Sequence, residues 1–269
     1  MRAPDDATND LDKDCFGLCQ SLSKPYLRLT SAPDPNKVRP LSVLMAAYKF
    51  HRSRFAADEI NYDALVDELK SIRQDMKVQH ISNSFTVQVY EFSARAALES
   101  GNLDDLSQCL SSVSDLATLN NVRQDPACAD EFKAYRLLLC VVRDSLEDVT
   151  PALAACLTPP VTAAARHAVE VLQAVTLRDY ATFFRRYDNA PFLSAYLLDF
   201  LVARMRCAAY DLMLCSFLTL PLQYVVEQLS FFEREECECF LRGRGGIIVN
   251  DGADWDCKAT RDSAGAKAN

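Results

Sequence analysis

Glycine and histidine are both scarce in this chain, with 7 and 3 copies in 269 residues. A sheet protein rich in tight turns would need more glycine, because many turns require a positive φ angle. Hydrophobic residues nevertheless make up 49% of the sequence, enough to bury the core of one large domain or two modest ones. The composition therefore predicts a mainly α-helical protein.

Long uncharged runs are missing as well. The two longest, Val149–Ala165 and Leu212–Val226, are shorter than a membrane span requires, and both contain proline. No basic and then apolar leader follows Met1, so we expect no secretory route and no membrane anchor. The cysteines lie mostly in apolar helical stretches, which predicts free thiols in a reducing compartment.

The familiar signatures of catalysis do not occur: GxSxG, the P-loop, HExxH and the dinucleotide fingerprint are all absent. The histidines are well separated in sequence: His51, His80 and His167. Cys15 and Cys19, like Cys237 and Cys239, lack the paired CxxC spacing of a zinc site. We therefore predict no enzymatic activity, no metal and no cofactor. The alternative is a cysteine-dependent hydrolase, whose Cys/His pair would assemble only in space.

The order of segments along the chain follows from local composition. Residues 1–14 concentrate acidic groups and are predicted to form a disordered tail. Residues 15–40 are predicted to form an extended, proline-spaced strap, since the prolines between Lys24 and Pro40 rule out a continuous helix. Residues 41–218 are predicted to form helical hairpins, and residues 219–260 are predicted to form a terminal module. Residues 261–269 are predicted to form a disordered tail.

Apolar residues recur at helical spacing from Leu41 onward. The pattern predicts helices over residues 41–55, Tyr62–Gln79, Asn83–Ser100, Leu103–Leu119, Glu131–Ser145, Val161–Val175 and Pro191–Phe217. Gly101 suits the left-handed C′ position of one helix, and Asn102 suits the N-cap of the next. The same pattern returns at Asp179, with Arg178 in the place of Gly101. This recurrence favours a right-handed, TPR-like solenoid of helical hairpins.

The pattern changes after Leu220. Two short helices, in LPLQYVVEQLSF and FEREECECFL, precede a glycine turn, the β-branched run IIVN, and a partner strand in WDCKAT. Two short helices followed by a hairpin is the order of a winged helix. A helical stack capped by a winged helix is the architecture of PCI domains, which are scaffold modules of large assemblies.

Two stretches carry a resemblance to a known family. The segment YLRLTSAPDPNKVRP at Tyr26–Pro40 resembles the signature strap of the Sac/GANP family of PCI proteins, and the similarity continues through Ser71–Cys109. Within that family, the chain resembles the branch that contains leukocyte receptor cluster member eight and fungal transcription-and-splicing proteins. The resemblance implies a non-enzymatic nuclear scaffold that couples transcription to mRNA processing, splicing or export.

The resemblance also implies partners. Such proteins pair through their winged helices with a second PCI protein, and a small acidic protein of the DSS type stabilises that partner. The complexes often bind RNA or DNA. The alternative within the binding class is a PCI subunit of the proteasome lid, the signalosome or a translation-initiation assembly, and the YLRLT strap argues against it.

The strap is predicted to lie against the first helical pairs. Its apolar anchors would be Tyr26, Leu27 and Leu29. Arg28 and Arg39 would then pair with acidic groups such as Asp75.

Two kinds of surface are candidate binding sites. Phe231, Phe232 and Phe240 give the terminal module more aromatic surface than it needs, which favours a partner interface. The alternative is that these rings fill the core of the module, above all Phe231 and Phe240. The candidate contacts to RNA phosphates are basic side chains: Lys49, Arg52, Arg54, Arg242, Arg244 and Lys258. They could equally form solvated faces, as the net charge of −8 suggests.

Overall fold

The computed structural model describes residues 17–26, 28, 33–119 and 125–268 of the chain. The protein is mainly α-helical with a small antiparallel sheet near its C-terminus, as predicted. It divides into two compact units, Met1–Asp125 and Pro126–Asn269. The predicted acidic tail over residues 1–14 and the predicted anchors Leu27 and Leu29 lie outside the described residues.

The first unit stacks consecutive helices, which is the packing of a helical-hairpin array. After a 3-10 turn at Pro35–Lys37, its described helices are α1 Leu41–Ala56, α2 Tyr62–Val78, α3 Ser84–Glu99 and α4 Leu103–Ala117. Each helix packs on the next one along the chain. Leu44, Leu69 and Ile72 are fully buried between them, and the ring of Tyr48 meets that of Phe85 edge-on at 5.7 Å.

Asparagine caps fix where these helices begin. The side chains of Asn61, Asn83 and Asn102 each accept a hydrogen bond from the backbone N–H three residues onward. Gly101 has a φ of +73°, the left-handed C′ geometry expected before the cap Asn102.

The second unit begins with five helices: α5 Pro126–Arg143, α6 Leu146–Leu157, α7 Ala163–Leu177, α8 Tyr180–Asp188 and α9 Ser194–Ser216. Helix α5 packs against α6, α7 and α9, and α8 packs against α7 and α9. The sequence pattern does not predict α6, because Pro151 lies inside it. The predicted recurrence is confirmed, since Arg178 has a φ of +56° and Asp179 accepts a hydrogen bond from the backbone N–H of Thr182.

The second unit ends in a module of helices and short strands: β1 Thr219–Pro221, α10 Leu222–Gln228, α11 Arg234–Gly243, β2 Ile247–Val249, β3 Asp254–Asp256 and α12 Cys257–Ala268. The sheet order is β1-β3-β2, and both pairings are antiparallel. Trp255, on the central strand, is fully buried and stacks on Tyr210 at 5.0 Å. The order of α10, α11 and the β2–β3 hairpin is that of a winged helix.

Two predictions about this end of the chain are wrong. The predicted strand WDCKAT ends at Asp256, and the predicted disordered tail from residue 261 is replaced by α12, which continues to Ala268. The carboxylate of Asp256 accepts a hydrogen bond from the backbone N–H of Ala259, which starts the helix. The guanidinium of Arg261 then donates to the carbonyl oxygens of Leu214 and Phe217 at the end of α9.

Two further features bear on the sequence predictions. Across the described residues, no helix combines the length and the apolar character needed to cross a bilayer. The ten cysteines in the same part of the chain are free thiols.

Candidate interaction surfaces

The strap meets helix α2 at a buried cluster of charges. The Nε atom of Arg39 lies 2.7 Å from Oδ2 of Asp75, and neither side chain is more than 1% exposed. Lys24 reaches the other carboxylate oxygen of Asp75, with its Nζ atom 2.6 Å from Oδ1. Arg39 also donates to the hydroxyl of Ser71 at 2.6 Å and to the carbonyl oxygen of Leu22 at 3.2 Å. The predicted pairing of Arg39 with Asp75 is confirmed.

Backbone contacts hold the strap along α2. The backbone N–H of Gly17 donates to the side-chain oxygen of Gln79, whose amide nitrogen donates in turn to the carbonyl oxygen of Arg39. A side chain at Gly17 could not fit, because its Cβ would lie 2.4 Å from the carbonyl oxygen of Val38. The backbone N–H of Lys24 donates to the carboxylate of Glu68 at 3.2 Å.

The predicted aromatic anchor of the strap is wrong. Tyr26 is 45% exposed, and Arg28 is exposed as well. The described strap is fastened instead by the cations Lys24 and Arg39, because one buried carboxylate of α2 binds both of them. The sequence suggested only the second of these cations.

The three candidate aromatics of the terminal module have different environments. Phe231 is 7% exposed and lies between the guanidinium of Arg206, 3.7 Å from its ring centroid, and the ring of Phe240 at 5.5 Å. Phe240 is half-buried and also meets Tyr210 edge-on. The sequence left open whether these two rings form an interface or fill the core, and in the structure both pack within the module. Phe232, by contrast, is 94% exposed.

The turn that carries Phe232 is held firmly against α8 and α9. Arg206 of α9 donates to the carbonyl oxygens of Leu229 at 3.1 Å and Ser230 at 2.8 Å. The hydroxyl of Ser230 donates to the carboxylate of Asp188 at 3.0 Å. Ser230 has a φ of +46°, and this left-handed turn directs Phe231 inward and Phe232 outward. Sequence reasoning missed Arg206 and Asp188, since nothing local marks either residue as a contact of the turn.

Carboxylates follow Phe232 closely along the chain. Glu233 and Glu235 are both exposed, and no ion pair involves either of them within the described part of the chain. Glu236 binds Arg206 at 2.7 Å, while Arg234 is engaged by Glu238 at 3.1 Å. The chain next to the exposed ring of Phe232 therefore carries negative charge that no cation of the described residues neutralises.

The basic candidates of the first unit are partly engaged. Arg54 pairs with Glu59 at 3.2 Å, and the guanidinium of Arg52 lies over the ring of Phe92 at 5.6 Å. Lys49 is exposed and takes part in no ion pair among the described residues. This cluster therefore offers fewer free charges than the run KFHRSR suggests.

The basic candidates of the second unit are engaged in a similar way. The guanidinium of Arg244 lies over the rings of Phe240 at 5.1 Å and Tyr210 at 5.8 Å, and so belongs to the packing of the module. Arg242 lies 3.8 Å from Glu238, and Lys258 is exposed. The six basic candidates are divided between the two units, three in each.

The buried thiols have the chemistry of core residues. Burial raises the pKa of Cys109 to about 11 and that of Cys237 to about 12, so both remain protonated at neutral pH. Within the described ranges, no group of three or more His, Cys, Asp or Glu side chains is arranged to hold a metal ion.

The fold and its surfaces define a class of protein: a helical stack ending in a winged helix, with an exposed aromatic on a fixed turn. Residues 20–250 match the SAC3/GANP family. The chain belongs to this family, as the strap and the Ser71–Cys109 motif predicted.

Several curated proteins are similar to the chain. It is 38% identical over 259 residues to the leukocyte receptor cluster member 8 homolog of Xenopus laevis, covering 94% of this chain and 32% of that protein. It is 37% identical over 234 residues to a THP3 homolog of Schizosaccharomyces pombe, covering 86% of this chain and 58% of that protein. It is also 37% identical over 279 residues to SAC3 family protein A of Arabidopsis thaliana, covering 96% of this chain and 27% of that protein. The chain thus spans less than two thirds of the length of each of these relatives.

Proposed function

We propose that the chain is a non-enzymatic PCI-type scaffold in a nuclear complex that couples transcription to mRNA processing, splicing or export. Membership of the SAC3/GANP family and similarity to proteins named THP3 and SAC3 support this proposal. The winged-helix end of a helical stack supports it too, because such modules act by binding other chains.

The proposed partner of the terminal module is a second PCI protein. The observation that carries this proposal is the 94% exposure of Phe232. Burying such a side chain at an interface contributes about 1.5–3 kcal/mol, and large aromatic side chains are enriched among the residues that dominate binding. A small acidic protein of the DSS type would join through the partner, since Glu233 and Glu235 would repel an acidic chain at this surface.

Affinity purification from the protein's own cells, after nuclease treatment, tests the pairing. The native protein should recover a second PCI protein and a small acidic chain, and the Phe232→Asp variant should lose both. Leu177→Asp is the matched control, because Leu177 is 76% exposed in the same unit but lies outside the terminal module. Absence of a second PCI protein from the native sample would overturn the proposal.

Weak contact with RNA phosphates is the second proposal, and it is supported by the exposed and unpaired ammonium group of Lys49 in the described structure. The affinity of the purified chain for a single-stranded RNA should fall steeply between about 50 and 200 mM salt, because binding to phosphates releases counterions. The Lys49→Glu variant should bind more weakly than the native chain at every salt concentration. An unchanged affinity would remove this cluster from the proposed contacts.

A further inference from the structure

We infer that Phe232 inserts into an apolar pocket of the partner that is ringed by lysine or arginine side chains, and that this surface does not bind nucleic acid. The inference rests on the proposed function, because it specifies the chemistry of the proposed partner at the terminal module.

The turn that carries the exposed side chain of Phe232 is held by the neighbouring helices. Arg206 holds the carbonyl oxygens of Leu229 and Ser230, and Asp188 holds the hydroxyl of Ser230. The neighbouring Phe231 is locked into the core beneath Arg206. Because the turn is ordered before binding, an incoming protein would not need to immobilise it. An exposed apolar side chain carried on such a backbone is suited to enter a preformed pocket.

The residues next to Phe232 in the chain are negatively charged. Glu233 and Glu235 are exposed, and neither takes part in an ion pair among the described residues. The nearby cations Arg206 and Arg234 are already engaged by Glu236 and Glu238. A pocket with cationic side chains at its rim would therefore complement this surface, whereas an acidic rim would be repelled.

The same charges argue against nucleic acid as the ligand. A helix that docks on nucleic acid presents Lys or Arg to the phosphates. Helix α11 instead carries Glu235 and Glu236 in its first turn, and its arginines Arg234 and Arg242 both lie within ion-pair distance of Glu238. Phosphate groups near Phe232 would meet uncompensated carboxylates.

Site-specific photo-crosslinking in the full chain tests the inference. A benzophenone amino acid is placed at position 232 in the tagged protein, expressed in its own cells, and the crosslinked peptide is identified by mass spectrometry. The same probe at position 177 is the control. We expect position 232 to crosslink to the second PCI protein, at apolar residues flanked by lysine or arginine.

Charge reversal then tests the rim. The double variant Glu233→Lys/Glu235→Lys should reduce crosslinking and weaken the affinity for the partner by roughly 10- to 100-fold. The double variant Glu147→Lys/Asp211→Lys makes the same change in net charge at exposed residues of the same unit and should leave both unchanged. Replacing the flanking cations of the partner by glutamate should restore binding to the Glu233→Lys/Glu235→Lys variant.

The outcomes separate this inference from the proposed function. If the native protein recovers a second PCI protein but position 232 crosslinks elsewhere or to RNA, the scaffold proposal stands and this inference is overturned. The same holds if the crosslinked site carries no cations, or if charge reversal has no effect. If the native protein recovers no second PCI protein, both are overturned.

Discussion

Arg39 and Asp75 form an ion pair that is almost completely removed from water, with 2.7 Å between Nε and Oδ2. One residue belongs to the strap and the other to α2, so this contact joins the extended segment to the helical stack. Charges buried in this way are tolerated only when both partners are present and their remaining hydrogen bonds are satisfied. Ser71, Leu22 and Lys24 supply those further contacts.

We predict that Asp75→Asn lowers the free energy of unfolding by about 3–5 kcal/mol, because it leaves the Arg39 guanidinium buried without a counter-charge. Chemical denaturation followed by far-ultraviolet circular dichroism measures the effect. Glu59→Gln is the control, since it breaks the exposed pair with Arg54 and should cost less than about 1 kcal/mol. Equal effects of the two variants would contradict the structural role of the buried pair.

The adjacent residues Phe231 and Phe232 should respond oppositely to truncation. Phe231→Ala should destabilise the terminal module by about 3–5 kcal/mol, because it removes a buried ring from between Arg206 and Phe240. Phe232→Ala should change stability by less than about 0.5 kcal/mol, since the side chain is exposed. Fluorescence of Trp255, the single tryptophan, reports unfolding of this module directly. A destabilising Phe232→Ala would show that this ring supports the fold instead of serving a partner.

The stability of the chain should decline as the pH rises above 9. Burial raises the pKa of Cys156 and Cys257 to about 11, and that of Cys237 to about 12, from the ordinary thiol pKa of 9.0. Thiols of the unfolded chain would ionise from about pH 9 upward, while the same thiols stay protonated in the folded chain. Their contribution to stability is therefore complete below about pH 9 and is lost as the pH rises through the pKa values of the folded state. Denaturation midpoints between pH 8 and 10 measure this decline. A Cys237→Ala variant should show a shallower slope, and an equally steep one would contradict the assignment to this thiol.

Arg178 holds a backbone conformation that suits glycine, with a φ of +56°. We predict that Arg178→Gly stabilises the second unit by about 0.5–1 kcal/mol, because glycine adopts this geometry without the steric cost of a Cβ atom. Differential scanning calorimetry measures the change. The converse variant Gly101→Ala should destabilise the first unit by a similar amount, and a stabilised Gly101→Ala chain would contradict this explanation of both turns.

The features that the sequence predicted correctly are local ones. Asn102 and Asp179 each cap the helix that they immediately precede, so a few neighbouring residues are enough to indicate both starts. The long helices were predictable for the same reason, because their apolar faces repeat within a single segment. The family motifs contain both Arg39 and Asp75, and their opposite charges were the basis for predicting that they pair.

The features that the sequence did not predict depend on distant contacts. Strand β1 has only three residues, and it pairs with β3 across two intervening helices and a strand. Helix α12 is fastened by Arg261 to the end of α9, which no local pattern reveals. The turn that separates the buried Phe231 from the exposed Phe232 is held by Arg206 and Asp188, which lie far from it in the sequence.

The most direct test of the account is light scattering of the purified chain mixed with the second PCI protein that it recovers from cells. We predict a complex whose mass is the sum of the two chains, formed equally well by the native protein and Leu177→Asp. Phe232→Ala should bind at least about 30-fold more weakly, as expected of a residue that dominates an interface. A complex of undiminished affinity with Phe232→Ala would contradict the claim that this side chain is the partner anchor.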